Sequence, residues 1–366
     1  MDYRPTESRM ELNRKKKKQN HPWRWIGVIF LIIVASVGIY GISIYVKTKN
    51  AIDKTYDPNN AVVQDKFDGK KPFNILLLGT DTGALGRKEK RGNSDTMIIA
   101  TVNPQEKKIS LMSVPRDTMA QMIGTKHFSV HKINAAYNMG GAKMTMNTTS
   151  KVFNVPIKYY LVMNMGGMQK IVDGVGGVEV KPPLTFTYSG YTFTKGKTMH
   201  LNGKQALAYS RMRYDDPKGD YGRQLRQRQV ITSILEHTMS LHTLKDLDTV
   251  LDSTSKSVRT NLTFNSMISI IKNYHQCRNN IKSDYVHGTG AMIGDASYQV
   301  TSDKELQRVS NIVRKELGLS STKLKNNEIY QNFKNPQFNW NSGNPNQIYY
   351  IYKPDSDVLW EGDIYV

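Results

Sequence analysis

Cysteine is nearly missing. Cys277 is the only one in 366 residues, which excludes a disulfide framework and any zinc site built on cysteines. It reads as a buried or inert thiol. Acidic residues are also scarce, 31 Asp and Glu against 51 Lys and Arg, giving a net charge of +20. That excess suits nucleic acid, an anionic membrane or a phosphorylated substrate equally well. Several catalytic signatures are lacking. No Gly-Lys-Ser/Thr closes the glycine-containing loop after Gly79, so ATP binding in a Walker loop is not indicated. His127 and His131 enclose no Glu, which removes a zincin and leaves them a structural role. No Gly-x-Ser-x-Gly occurs. Ser253-Thr254-Ser255-Lys256 and Ser320-Ser321-Thr322-Lys323 lack the companion motifs of a serine acyltransferase. There is no internal repeat, and only one long apolar run. What is present is enough for a core: 39% of residues are hydrophobic and 22% charged, which excludes a mainly disordered chain.

The single apolar run is Ile26 to Val46. As a helix its 21 residues reach roughly 31 Å, about one hydrocarbon core. Trp23 and Trp25 before it, and Tyr40 and Tyr45 toward its end, suit the two membrane interfaces. Residues 1–25 carry eight basic against three acidic side chains, Lys15–Lys18 among them. The positive flank predicts a cytoplasmic N-terminus and an external C-terminal mass, a single-pass type II arrangement in the cell membrane. The run's length and its Ile44-Tyr45-Val46-Lys47 ending favour an uncleaved anchor over a signal peptide.

Residues 47–72 are polar and punctuated and read as a stalk. From 73 to 325 strand and helix patterns mix in one run, predicting a single α/β domain. Strands are expected at Ile75–Leu78, Thr96–Val102 and Ile109–Val114, the last two joined by a turn at 103–108, and again at Tyr159–Met163, 184–193 and near 284–288. Helices are expected over 133–153, 165–172, 202–209 (with Asn202 as N-cap), 223–241, 243–257, 263–278 and 303–317. From 326 to 366 Asn, Gln, Tyr and Pro dominate, predicting an appended β segment or a loosely ordered tail.

Two clusters could carry chemistry. Five arginines fall between Arg211 and Arg228. Arg211 and Arg213 share a face of an extended segment, and Arg223, Arg226 and Gln227 share a face of the following helix, whose start near Arg223 would favour an anion. Guanidinium forks grip phosphate oxygens, so the pattern fits a di- or polyphosphate. It equally describes a solvated basic loop paired to Asp215, Asp216 and Asp220. The second cluster lies at strand ends: Asp81 after the first strand, Asp95 before the second, Arg116 after the third. Neighbouring carboxylates could share Mg²⁺ with substrate phosphates, at the sheet edge where α/β folds bind ligands. Ordinary turn chemistry also puts Asp at strand ends.

Taken in order, Asn74-Ile75-Leu76-Leu77-Leu78-Gly79-Thr80-Asp81, Asn93-Ser94-Asp95-Thr96-Met97, Ser113-Val114-Pro115-Arg116-Asp117, His131-Lys132-Ile133-Asn134-Ala135-Ala136-Tyr137, Gly174-Val175-Gly176-Gly177-Val178, Leu201-Asn202-Gly203-Lys204-Gln205-Ala206-Leu207 and the arginine stretch resemble the LytR-CpsA-Psr family of bacterial cell-wall proteins. The resemblance covers roughly 73–240. It implies an α/β/α sandwich with a mixed central sheet and an apolar pocket for lipid. The implied activity is a phosphotransferase that moves a glycopolymer, such as teichoic acid or capsular polysaccharide, from a polyprenyl-pyrophosphate carrier to peptidoglycan. Mg²⁺ assists, no nucleic acid is involved, and the setting is the outer face of a Gram-positive membrane. By motif match Asp81 and Asp95 would hold the metal, and Arg116, Arg211, Arg213, Arg223 and Gln227 the pyrophosphate. Asp81, Asp95, Arg116 and Arg211 would be catalytic. One departure stands out: the Arg common two residues before the second Asp is Asn93, so either Arg87 or Arg91 reaches in instead or the pyrophosphate loses one contact. A non-catalytic lipid-phosphate or wall-polymer binding protein, and a carrier-lipid pyrophosphatase, are the alternatives.

Overall fold

The computed structural model describes residues 46, 49–50, 53–81, 92–238 and 257–360. The anchor expected over 26–46 lies, apart from Val46, outside them. So do Arg87, Arg91 and nearly all of the helix expected over 243–257. Among the described residues no helix is long and apolar enough to cross a membrane.

Fourteen strands occur among the described residues: β1 Phe73–Thr80, β2 Ser94–Asn103, β3 Lys108–Ser113, β4 Met119–Gln121, β5 Val130–Lys132, β6 Tyr159–Asn164, β7 Val178–Val180, β8 Phe186–Tyr188, β9 Tyr191–Phe193, β10 Met199–Leu201, β11 Val258–Thr260, β12 Ile281–Tyr285, β13 Thr289–Ile293 and β14 Ala296–Val300. The described α-helices are α1 Ala135–Phe153, α2 Met165–Gly174, α3 Gly203–Arg211, α4 Gly219–Thr238, α5 Phe264–Tyr274, α6 Asp303–Glu316 and α7 Asn327–Lys334.

Six strands form one mixed sheet in the order β11-β6-β1-β2-β3-β12. Strands β1, β2 and β3 run antiparallel in succession, while β6 is parallel to β1 and β12 to β3. Alternate residues face opposite ways, and both ways are apolar, as a sheet covered on both faces requires. Leu76, Leu78, Met97, Ile99 and Met112 pack with Met146 and Phe153 of α1 and Leu306, Val309 and Val313 of α6. Ile98, Ala100, Val102, Ile109 and Leu111 pack with Ile231 and Leu235 of α4 and Met267 and Ile270 of α5. The layering implied by the family resemblance is therefore present: helices, mixed sheet, helices.

Two satellite cores flank the sheet. One joins α2, β7 to β10, α3 and a side of α4 around Phe186, Phe193, Tyr209 and Val230. There α3 opens on a capping box, Asn202 accepting from Gln205 N and Gln205 returning the bond. The other joins β4, β5, β13 and β14 to the C-terminal segment through Met119, Tyr298, Phe338, Tyr349 and Ile351.

Three expectations need correction. The stretch read as a stalk, 47–72, joins the fold from Thr55 onward. Phe67 is 3% exposed within a cluster of Phe73, Tyr159 and Tyr274, and Gln64 donates to the Asn261 carbonyl. Its polar side chains bind backbone, and one aromatic supplies the anchor. The 326–366 segment contains α7, capped by Asn326, where no helix was expected. Third, α4 begins four residues before Arg223, because Asp216 closes a turn that receives the N–H groups of Lys218 and Gly219.

Candidate functional site

The strand directions bring one set of ends to a single edge: the C-terminal ends of β1, β3, β6 and β12 and the start of β2. Asp81 follows β1. Asp95 is the second residue of β2, and Arg116 lies three residues past β3. Thr80 pairs with Ser94 after a register shift at Gly79. A Cβ on Gly79 would lie 2.9 Å from the Thr96 Cβ, so glycine permits the two strands their close approach here.

Arg116 Nη1 donates to Asp95 Oδ1 at 2.7 Å, and its Nε lies 3.7 Å from Asp117. Burial works against the Arg116 charge. The hydrogen bond to Asp95, with Asp117 and Asp220 behind it, outweighs burial and lifts the pKa above its ordinary value. Arg223 is 8% exposed and within ion-pair distance of Asp220. Desolvation pulls its pKa below the ordinary value; Asp220 and Asp95 oppose that, whereas Arg116 and Arg213 reinforce it. Asp95, Arg116, Arg213, Asp220 and Arg223 thus act on one another as a single electrostatic group. Among the described residues, Arg116 Nε and Arg223 Nε are buried without a hydrogen-bond acceptor, while Arg223 Nη2 faces Asp220 Oδ1 at 2.5 Å. Cations that repel each other and retain unused donors make a site in need of an anion.

The rest of the arginine stretch divides. Arg226, expected on the phosphate-facing side, is wholly buried. It pairs with Asp216 and donates to the carbonyls of Tyr209 at 3.1 Å and of Met212. It staples the 212–218 strap, and with it Arg213, to α4. The close approach needs Gly222, where a Cβ would strike the Asp216 carboxylate. Arg228 is also buried, donating to Ser113 Oγ at 2.8 Å and lying over the Tyr285 ring. Desolvation pushes its pKa down to about 10. Arg211 ends α3, exposed and making no ion pair among the described residues. Gln227 lies one turn beyond Arg223, half-buried. The helix start expected to favour an anion at Arg223 lies instead at Gly219, with acidic Asp220 in its first turn.

Sequence reasoning read a paired loop and an anion site as alternatives; the structure pairs Arg226 with Asp216 and Arg223 with Asp220, while buried donors at Arg116 and Arg223 stay unused. That reasoning named Asp220 as an ion-pair partner, which the Arg223–Asp220 pair bears out, and missed Tyr221. The Tyr221 ring packs on Tyr285, and its hydroxyl accepts from Gly288 N at 2.9 Å. The available signal for Tyr221 was its position in the first turn of a helix that turned out to start earlier.

His131 meets the Trp360 ring edge-on, in keeping with a structural role. Cys277 is free and buried, its thiol pKa raised by burial. As for a metal, the described residues hold no cluster of three or more His, Cys, Asp or Glu. The donors at the edge, Asp81 and Asp95, are hard oxygens. They fit Mg²⁺, which binds one or two carboxylates and fills its shell with water and phosphate oxygens.

The LytR_cpsA_psr (LytR-CpsA-Psr) family model matches residues 38–315. The chain belongs to this family. An Enterococcus faecalis member named polyisoprenyl-teichoic acid–peptidoglycan teichoic acid transferase TagU is 42% identical over 293 residues, 80% of this chain and 95% of that one. The crystal structure of Bacillus subtilis TagU superposes with a TM-score of 0.54 at 35% identity, over 68% of this chain and 97% of that one. An Enterococcus faecalis crystal structure described as a transcriptional regulator superposes with a TM-score of 0.63 at 36% identity, over 71% and 92%. The mixed sheet covered by helices is thus the family's fold.

Proposed function

We propose that the chain is a phosphotransferase of the cell envelope. It would attach a wall glycopolymer, carried on polyprenyl pyrophosphate, to peptidoglycan. The observation that carries this is the set of buried, acceptor-less guanidinium N–H groups of Arg116 and Arg223 beside Asp95. The names of the relatives supply the substrate class: teichoic acid, a polyisoprenyl carrier and a peptidoglycan acceptor.

In this reading Arg116, Arg213 and Arg223 hold the pyrophosphate, with Arg211 and Gln227 at its margin. An acceptor hydroxyl attacks the phosphorus nearer the glycopolymer. The new O–P bond forms as the bond to polyprenyl phosphate breaks, and the leaving phosphate takes up the negative charge. Such transfers are catalysed by positioning and charge stabilisation. The arginines do both, already oriented by Asp95 and Asp220. Asp81 and Asp95 are the carboxylates at this edge able to take the hydroxyl proton. They would also hold Mg²⁺, which supplies charge neutralisation on the phosphates. Residues 26–46 would anchor the chain in the membrane, with residues 1–25 in the cytoplasm and the described domain outside.

The test uses the full chain in detergent, Mg²⁺, a labelled polyprenyl-pyrophosphate glycopolymer and peptidoglycan. Release of polyprenyl phosphate and transfer of label should proceed together, and chelation of Mg²⁺ should stop both. Arg223→Ala should lower the rate by about 10²–10³-fold. Turnover untouched by Arg223→Ala and Arg116→Ala would overturn the assignment. Release without transfer would make the protein a pyrophosphatase, and binding without turnover a carrier-lipid binding protein.

A further inference from the structure

The C-terminal segment lies beyond the family match, which ends at residue 315. Within it Ile348-Tyr349-Tyr350-Ile351-Tyr352 interrupts a run of Asn, Gln and Pro. Its burial alternates: Tyr349 and Ile351 are 1% and 3% exposed, Ile348 and Tyr350 60% and 42%. The inward pair completes the core with Tyr298 and Phe338. Packing therefore accounts for Tyr349 and Ile351 and leaves Ile348 and Tyr350 exposed, with Tyr352 half-buried beside them.

The segment is held rigidly. On one side, side-chain amides of α7 stand in for a neighbouring strand. Asn335 accepts from Tyr350 N at 2.9 Å and donates to Tyr350 O at 2.8 Å, and Gln331 does the same for Tyr352 at 2.8 Å each way. On the other side Tyr349 N donates to Met292 O, and Trp360 N to Ile351 O. With these backbone groups engaged on both edges, a peptide cannot add here as a further strand. Recognition has to use the side-chain face.

That face is aromatic with polar tips. The Tyr350 and Tyr352 hydroxyls make no hydrogen bond among the described residues, and Lys334 Nζ lies over the Tyr330 and Tyr352 rings at 5.6 and 5.8 Å. Exposed Phe333 extends the apolar surface of α7. Residues 326–366 carry two lysines against five acidic residues, in a chain otherwise strongly basic. This surface is unsuited to a polyanion. Rigid tyrosines offer large contact area with a polar handle at small entropic cost, a match for the C–H faces and hydroxyls of sugar rings.

We propose that the outward face of Ile348, Tyr350 and Tyr352 is a platform for an uncharged pyranose glycan strand. Its identity as the acceptor glycan rests on the transferase reading; its chemistry does not. The test is co-sedimentation of the full chain, in detergent, with peptidoglycan stripped of its phosphate-linked polymers. The wild type should bind, and binding should persist at about 0.5 M salt, where exposed charge pairs are screened. Tyr350→Ala with Tyr352→Ala should weaken it about tenfold with unchanged melting temperature and unchanged carrier-lipid release. Ile348→Ser provides a second, single-site variant with the same expected direction. Binding unaffected by these changes, binding abolished by salt, or a change of oligomeric state in the double variant would overturn the platform. Sedimentation without carrier-lipid release in the wild type would instead defeat the transferase reading and leave the platform standing.

Discussion

The Arg226 staple allows a magnitude to be set in advance. Arg226 and Asp216 are 0% and 7% exposed, so neither charge has water to fall back on. Arg226→Met keeps much of the aliphatic stem and removes the charge. Asp216 then keeps one backbone bond, from Lys218 N at 2.8 Å, and the carbonyls of Tyr209 and Met212 lose their donor. Breaking a buried pair from one side costs about 3–5 kcal/mol, against about 0–1 kcal/mol for an exposed pair. The expected loss of about 4 kcal/mol is nearly a thousandfold in the folding equilibrium. Urea unfolding of the full chain in detergent should show a lower midpoint with an unchanged slope, since the surface exposed on unfolding is the same. Arg226→Met combined with Asp216→Leu should cost less than the two single changes added together, because no charge is left stranded. A loss below about 1 kcal/mol for Arg226→Met would place the pair in the exposed class and refute the staple.

Two further outcomes follow from local geometry. Glu328 is 3% exposed, with Oε1 accepting from Gln121 N and Oε2 unpartnered, and burial raises its pKa. A raised folded-state value means that its share of stability is complete below the unfolded value near 4.5 and fades as pH rises through the folded one. Wild type should therefore lose stability relative to Glu328→Gln on going from about pH 4 to pH 7, read by denaturant midpoints; parallel curves would contradict this. Gly79→Ala drives a methyl to 2.9 Å from Thr96 Cβ and should cost about 1–3 kcal/mol while parting β1 from β2 beside Asp81. An unchanged melting temperature would show that the strands are not in close contact there.

The sheet was legible because both its faces are buried. Ile75–Leu78, Thr96–Val102 and Ile109–Val114 stand out as continuous apolar runs, and all three fall inside observed strands or within one residue of their ends. Strand direction then put Asp81, Asp95 and Arg116 at one edge. Reading failed where polar side chains do structural work on backbone. Gln64 and Asn261 fold the supposed stalk onto the sheet, and Gln331 and Asn335 order a tail whose composition suggested looseness. Neither leaves a hydrophobic period to detect. Arg226 was misplaced for a related reason. Helical spacing groups it with Arg223 and Gln227, but its partner Asp216 lies in the preceding strap, and only tertiary contact tells a buried pair from a binding arginine.

The site residues come from three remote stretches, around 95, 116 and 213–227, so their spacing depends on what joins those stretches. Asp95 and Arg116 are bonded directly, and Arg226 ties the strap bearing Arg213 to α4. The remaining joint, between the Arg116 end of β3 and the first turn of α4, is bridged by the loop before β13 and by β14. Gln299 N donates to Asp117 O at 2.9 Å, and Tyr221 OH meets Gln299 Oε1 at 3.3 Å and Gly288 O at 3.2 Å. The β13–β14 hairpin packs in turn against Phe338, Tyr349 and Ile351 of the C-terminal segment. Misplacement of an ångström weakens charge stabilisation of a transition state severely. Residues beyond the family match thus enter the geometry of the arginine site through a short chain of contacts, without touching a substrate phosphate themselves.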